Sequence, residues 1–240
     1  MKKYLIISLI FLLFFQSGFN GYGQEQDTIK SERMKWFSEA KLGIFIHWGI
    51  YAVNGIDESW SFFNGYISHE DYMKQMDGFK AKKYDPEYWA KLISESGAKY
   101  AVLTSKHHDG VALWPTKCND LHFNKDYVGA YMEAIRAEGL KAGLYYSLLD
   151  WSHPDYPNKT REIKRYEDDP DRWDKFVDFN FCQLNEISGK YNPDLYWFDG
   201  DWEQSAQKWH AEEIREKILT ANPDAIINSR LQGYGDYATP

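Results

Sequence analysis

The sequence predicts an α/β protein, a (β/α)8 TIM-like barrel cut short after about five strand–helix units. Three observations carry that expectation. Short apolar runs alternate with helical segments along most of the chain, the pattern of parallel strands joined by right-handed crossovers. His47, His107, His108, Tyr146, Asp199 and Arg230 fall at or just beyond the C-terminal ends of five successive runs. In a barrel that end is the rim where active sites gather from many strands. A doubly wound sheet would collect its ligand groups at one switch point, usually behind a glycine-rich turn, and the chain has no G-x-G-x-x-G.

The elements follow in order. Lys41 to Gly49 (KLGIFIHWG) reads as a buried strand. Asp85 to Gly97 reads as a helix, with Asp as N-cap, Pro in the first turn and Gly as stop. Ala98 to Ser105 (AKYAVLTS) is the second strand, Asp126 to Gly139 a second Gly-closed helix, and Leu140 to Leu148 (LKAGLYYSL) the third strand. A long helix is expected from about Pro170 to Tyr191, then a fourth strand, Asp194 to Asp199 (DLYWFD). A helix around 203–221 and a fifth strand, Ala225 to Ser229 (AIINS), complete the series. Five units use up the 240 residues, whereas a closed barrel needs eight and an open sheet has unpaired edges. The expectation is a partial catalytic barrel over residues 24–240 that continues beyond this sequence.

Residues 1–23 read as a secretory signal peptide: Lys2 and Lys3, an apolar run from Tyr4 to Phe15, then small and polar residues. The apolar run is far shorter than the ~20 residues that span a bilayer, so export to a periplasm or beyond is expected over an uncleaved anchor. No membrane span is expected after cleavage. Cys118 and Cys182 are the only cysteines. A disulfide between them is permitted in an oxidising compartment but not implied by the sequence. Acids outnumber bases 36 to 28, for a net charge of -8, which argues against nucleic acid as a partner. Aromatic residues make up 18% of the chain, a richness that suits either a ring-heavy core or half-apolar ligands such as sugars.

The rim residues narrow the chemistry. Asp199 closes an apolar strand (YWFDG), where a carboxylate is held rigidly with little water, as a nucleophile or general base requires. A capping Asp is the structural alternative. KHHDG (Lys106 to Gly110) follows one strand and His47 ends another. Three histidines and an aspartate could hold a metal, but H-x-H and H-E-x-x-H are absent. Neutral imidazoles bonded to sugar hydroxyls are the preferred reading. Adjacent strand residues point to opposite faces, so either role for the His107–His108 pair requires irregular backbone there. Trp60, Trp197 and Arg230 are individually weak signals. G-x-S-x-G and P-loop motifs are absent. Carboxylate chemistry on a hydroxyl-rich substrate remains, and a glycosidase is its natural form.

Five segments, in order, resemble the α-L-fucosidase family, glycoside hydrolase family 29: WFSEAKLGIFIHWG (36–49), KHHDGVALWPTK (106–117), GLYYSLLDW (143–151), YNPDLYWFDG (191–200) and INSR (227–230). The resemblance spans about residues 31–240. It implies a retaining α-fucosidase with a barrel catalytic domain, a C-terminal β-sandwich and no cofactor or metal, acting on fucosylated glycans. It makes Asp199 the nucleophile and His47, His107 and His108 ligands of fucose hydroxyls. It gives Tyr146 as a pocket tyrosine, with Tyr145 as the alternative. Trp197 becomes an aromatic near the sugar's C5 methyl, Trp60 a pocket tryptophan and Arg230 a neighbour of the nucleophile. Two departures stand out. The Glu that many members carry immediately before the pocket Trp is Ser59 here, with Glu58 one place earlier. The general acid/base Glu, which in many members follows a segment like DYATP, is expected just beyond Pro240, and the fragment itself is expected to show little or no turnover. A non-catalytic sugar-binding barrel and a metal-dependent barrel hydrolase are the competing functions.

Overall fold

The structure, a computed structural model, describes residues 28–239. The signal peptide expected over 1–23 therefore lies outside the described residues. The chain divides into two compact units, Met1–Glu39 and Ala40–Pro240. Of the first, the described part is helical, in a helix (α1) that spans residues 28–40.

The second unit is built on a parallel five-stranded sheet: β1 (Gly43–Ile46), β2 (Tyr100–Lys106), β3 (Lys141–Ser147), β4 (Leu195–Asp199) and β5 (Ile226–Ile227). The strands lie side by side in sequence order, and the order never reverses among them. Their C-terminal ends therefore form one edge. Ser147 is paired with Asp199 there, and Tyr145 with Trp197. From Ala101 to Lys106 in β2, and from Ala142 to Ser147 in β3, every residue is buried. Strands covered on both faces read as continuous apolar runs, which is why both were visible in the sequence.

The long crossover helices are capped as their sequences suggest. Asp85 accepts the Tyr88 N–H at the start of α5 (Pro86–Glu95), and Asp126 accepts the Gly129 N–H at the start of α6 (Tyr127–Ala137). Asp169 accepts the Arg172 N–H ahead of α7 (Pro170–Glu186). Such a cap contributes about 1 kcal/mol. A five-residue π-helical turn, Ile187–Tyr191, extends α7 to the boundary the sequence suggests.

Three elements differ from the sequence reading. The strand expected over 41–49 is shorter, because Lys41 takes a left-handed φ of 58° and the chain leaves the ladder after Ile46. The helix expected around 203–221 is a 3-10 turn (Asp201–Glu203) and two helices, α8 (Ala206–Trp209) and α9 (Ala211–Ala221). His210 separates them at φ 52°, ψ 42°. The buried Trp209 ring fixes this break: its indole N–H donates to the Asp201 carbonyl and its face meets Trp173 at 5.3 Å. Between β1 and α5 the chain forms a 3-10 turn (Ile50–Ala52) and three short helices, Trp60–Phe63 (α2), His69–Met73 (α3) and Gln75–Gly78 (α4). The sequence reading assigns no element there.

Cys118 and Cys182 are joined in a disulfide. It ties the loop after β2 to α7, across 64 residues of chain. Among the described residues, no helix is long and apolar enough to cross a membrane.

Candidate active site

The site begins with the alternation of β4. Tyr196 and Phe198 are buried, while Trp197 and Asp199 retain exposure on the other face. Asp199 is the last residue of the strand, and its side chain is 16% exposed. Its Oδ1 lies 2.6 Å from Arg230 Nη1, and its Oδ2 accepts the Tyr145 hydroxyl at 3.0 Å. Arg230 comes from just past β5 and Tyr145 from β3. Three adjacent strands thus fix one carboxylate.

This geometry corrects the tyrosine assignment. Tyr146 faces away from Asp199. Its hydroxyl lies 2.8 Å from Asn180 Oδ1 and 2.9 Å from Gln183 Oε1, both on α7, and 3.0 Å from Lys106 Nζ. Successive residues of a strand face opposite sides, and Asp199 is paired with Ser147, two residues on from Tyr145.

The two adjacent histidines do converge. The β2–β3 register shifts between Thr104 and Lys106, β2 ends at Lys106, and residues 107–110 form a turn closed by the Gly110 N–H on the His107 carbonyl. Gly110 has φ 79°, and a Cβ there would lie 2.4 Å from Asp150 Oδ1. Only glycine fits. The irregular backbone brings the His107 and His108 ring centroids to 4.2 Å. His107 also lies face to face with Tyr145 at 5.6 Å, and 4.9 Å from His47.

The protonation of His108 follows from its partners. Its Nδ1 lies 2.6 Å from Ser147 Oγ, which donates its one proton to the Leu149 carbonyl at 2.6 Å. Ser147 must then accept from His108 Nδ1–H, a tautomer assigned from the network. Nε2 is left with its lone pair, buried, without a hydrogen bond and 3.7 Å from Asp199 Oδ2. Burial pushes the His108 imidazole down to about 3, against the opposing pull of Asp199. Burial, then the neighbouring imidazoles His108 and His47, hold His107 well below the ordinary value. Burial also lowers His47, with Glu58 and Asp199 opposing. All three are neutral at pH 7.

Glu58 and Ser59 both reach this cluster. Glu58 Oε1 lies 3.5 Å from His47 Nε2, and Ser59 Oγ is hydrogen-bonded to His107 Nδ1. Trp60, from α2, meets His108 edge-to-face at 5.6 Å and lies nearly parallel to Trp202 at 6.2 Å. Trp202 is 47% exposed, with the Arg230 guanidinium 6.0 Å from its ring centroid. On the other side, Phe45 packs edge-on against Trp197 at 5.1 Å and against Tyr145 at 6.0 Å. The result is a carboxylate with donors on both oxygens, three neutral imidazoles and an apolar wall. Among the described residues, no three His, Cys, Asp or Glu side chains are grouped to hold a metal ion.

His47, His107, His108, Trp60, Trp197, Asp199 and Arg230 are brought together, and Tyr146 is not. The sequence alone does not single out Phe45 or Ser147 as site residues, and marks Trp202 only as an aromatic neighbour of Asp199. Phe45 stands two residues before His47, and Ser147 two after Tyr145, so period-2 alternation would have found both. Trp202 follows the strand in a 3-10 turn, where no period applies.

Residues 16–239 match the sequence family described as Alpha-L-fucosidase. An alpha-L-fucosidase of Branchiostoma floridae is 33% identical over 228 residues, which cover 83% of this chain and 49% of that protein. Tissue alpha-L-fucosidase of Rattus norvegicus is 32% identical over 225 residues, 82% of this chain and 46% of its own length. The chain thus spans about half the length of these curated relatives. Among solved structures, alpha-L-fucosidase isoenzyme 1 from Paenibacillus thiaminolyticus aligns with a TM-score of 0.80 at 34% identity, over 88% of this chain and 56% of that one. A family 29 alpha-L-fucosidase from Bacteroides thetaiotaomicron, trapped as a covalent intermediate with 2-fluoro-fucosyl fluoride, aligns with a TM-score of 0.76 at 30% identity, over 86% of this chain and 54% of that one.

Proposed function

The chain belongs to the alpha-L-fucosidase family, glycoside hydrolase family 29, and from that premise we propose that it carries the nucleophile half of a retaining α-L-fucosidase. The protein hydrolyses terminal α-L-fucosyl linkages of glycans, and Asp199 is the nucleophile. The observation that carries this reading is the cluster around one carboxylate: Asp199 lies 3.7 Å from His108 Nε2 and accepts the Tyr145 hydroxyl, with His47 and His107 beside them.

In the first step Asp199 attacks the anomeric carbon as the C1–O bond breaks, and the leaving oxygen takes a proton from a carboxylic acid. In the second step that group, now a carboxylate, takes a proton from water, which displaces Asp199 from C1. The two carboxyls of such an enzyme stand roughly 5–5.5 Å apart. The acid/base partner is a second carboxylic acid, the counterpart of Asp199 across the scissile bond. The unreversed strand order supports a barrel over a doubly wound sheet. General acid catalysis is worth ~10²–10⁴ in rate, so loss of that acid should lower fucoside turnover by this factor.

Side chains of this chain supply the rest. Burial and the Asp199 charge hold the Tyr145 phenol well above its ordinary pKa, so it remains a donor to Oδ2, beside Arg230 on Oδ1. The bare Nε2 of His108 accepts a hydrogen bond from a sugar hydroxyl, and Trp60, His47 and His107 complete the polar side. Phe45, Trp197 and Tyr145 give the deoxy sugar's methyl a dry wall. The N-terminal residues act as an export signal, so the enzyme works in a periplasm or outside the cell.

The decisive experiment is trapping. Full-length protein incubated with 2-fluoro-fucosyl fluoride should gain one fluorofucosyl group, mapped by peptide mass spectrometry to Asp199. Asp199→Ala should lose both the adduct and hydrolysis of a chromogenic fucoside. Activity that survives Asp199→Ala, or that is abolished by a chelator, would overturn the assignment. Sugar binding with no adduct and no turnover would identify a binding protein instead.

A further inference from the structure

A second feature lies behind β1, on residues the proposed chemistry does not use. His47 belongs to the site, but Trp48, the next residue, lines a separate cavity of about 460 Å³ together with Tyr84 and Trp89. That volume is within the range of small-molecule sites. The aromatic floor has a defined shape. Trp48 and Tyr84 lie parallel, 5° apart in plane with centroids at 5.1 Å, and Trp89 stands perpendicular to both. Parallel rings this close are stacked in offset, and with the upright Trp89 they give the cavity an aromatic lining that suits a ligand with C–H groups on one face, such as a pyranose. Aromatic rings carry a negative face, to which such polarised C–H groups are drawn.

The other wall is basic. Lys80, Lys82 and Lys83 line the cavity, and no lining residue is acidic. This is unusual in a chain of net charge -8. All three lysines are exposed, and among the described residues none of them is in an ion pair. The segment carrying them is a fixed turn. Ala81 holds a left-handed φ of 43°, a conformation that costs an L-residue roughly 1–2 kcal/mol, and its carbonyl accepts the Tyr84 N–H at 3.1 Å. A fourth ammonium, Lys125, sits 5.6 Å from the Tyr84 ring centroid.

We propose that this aromatic, lysine-walled corner binds an anionic saccharide, a sugar ring bearing a sulfate or a carboxylate. The ring packs against the aromatic lining of Trp48, Tyr84 and Trp89, and its charged substituent reaches Lys80, Lys82 and Lys83. A neutral sugar would leave the ammonium groups unused, and an acidic peptide would leave the aromatic lining unused. The site does not depend on the fucosidase reading, because it shares neither Asp199 nor the imidazoles.

The test uses the full-length protein, tryptophan fluorescence and four probes: galactose 6-sulfate, glucuronic acid, galactose and a hexaglutamate peptide. Saturable binding of either anionic sugar is expected, at least tenfold tighter than galactose and weakening as salt rises. The comparison between the two anions says which group the lysines prefer. Lys82→Glu/Lys83→Glu, on exposed side chains, should weaken anionic-sugar binding at least tenfold and leave kcat/KM on a small chromogenic fucoside unchanged. Trp89→Ala should weaken it similarly, with circular dichroism checking the fold. Equal binding of galactose, tighter binding of hexaglutamate, or no saturable response to either anionic sugar at 10 mM would each overturn the proposal. None of those results bears on Asp199, so failure here leaves the hydrolase reading standing.

Discussion

Tyr145 and Tyr146 are neighbours in the chain and serve opposite faces of one strand. Tyr145 donates to the Asp199 carboxylate, whereas Tyr146 binds α7 and Lys106. Sequence could not choose between them, because both tyrosines are fully buried and no exposed partner marks a face. The structure separates their consequences. In the full-length enzyme, Tyr145→Phe should lower kcat roughly 10–100-fold, the range for losing a hydrogen bond to a charged group, with little change in melting temperature. Tyr146→Phe should do the reverse. It leaves buried Lys106, Asn180 and Gln183 short of a partner, at about 1–3 kcal/mol, with kcat nearly unchanged. Paired rate and denaturation measurements on the two variants check both; a swapped outcome would assign the catalytic hydrogen bond to Tyr146 instead. Glu58 carries a similar lesson. Its position, one place early for the family pattern, looks like a loss in the sequence, yet it faces His47.

Elements were legible where a period or a cap had room to show. Asp85, Asp126 and Asp169 sit one residue before their helices, and Gly97 and Gly139, just past α5 and α6, have φ 85° and 71°. The helices α2 to α4 were not legible, since four or five residues give no 3.6-residue period to detect. They matter because α2 delivers Trp60. The turn after β2 is the element most exposed to a small change. Gly110→Ala sets a methyl group against Asp150 in a backbone that disfavours it. Expected are a loss of several kcal/mol in urea unfolding and a collapse of fucoside hydrolysis, as His107 and His108 lose their place. Gly65→Ala, also at positive φ but in open space, is the control and should cost only about 1 kcal/mol. The Cys118–Cys182 bridge constrains a 64-residue separation, which chain entropy values at about 4 kcal/mol. Urea unfolding with and without a phosphine reductant measures it, and equal midpoints would show that the bridge contributes nothing.

For the molecule as a whole, the parallel alternating architecture was readable because both faces of the central strands are covered, which leaves apolar runs between helices. The same burial gives the protein an acid weakness. His47, His107 and His108 titrate below their ordinary value near 6.5, so in acid the unfolded chain binds protons the folded chain refuses. Stability is present above that value and is lost as pH falls toward about 3, at about 1.4 kcal/mol per pH unit for each refused proton. Asp109 works in the opposite sense. Burial pushes it up to about 6, so the folded chain takes a proton early and gains stability as pH drops from there toward its ordinary 3.8. One such group offsets part of three. The melting temperature of the full-length protein should therefore fall between pH 6.5 and 4, and His107→Asn/His108→Asn should flatten the slope. A flat profile in the parent protein would show that these imidazoles are not buried neutral.

The Arg230–Asp199 pair is separated by 31 residues, with the guanidinium downstream. Whether the chain folds as it leaves the ribosome or as it threads a translocon, it emerges N-terminus first. At ~5–20 residues per second, Asp199 waits on the order of two to six seconds for its cation. During that interval the end of β4 keeps its hydration, and the newborn sheet exposes an unneutralised anion to whatever chaperone meets it.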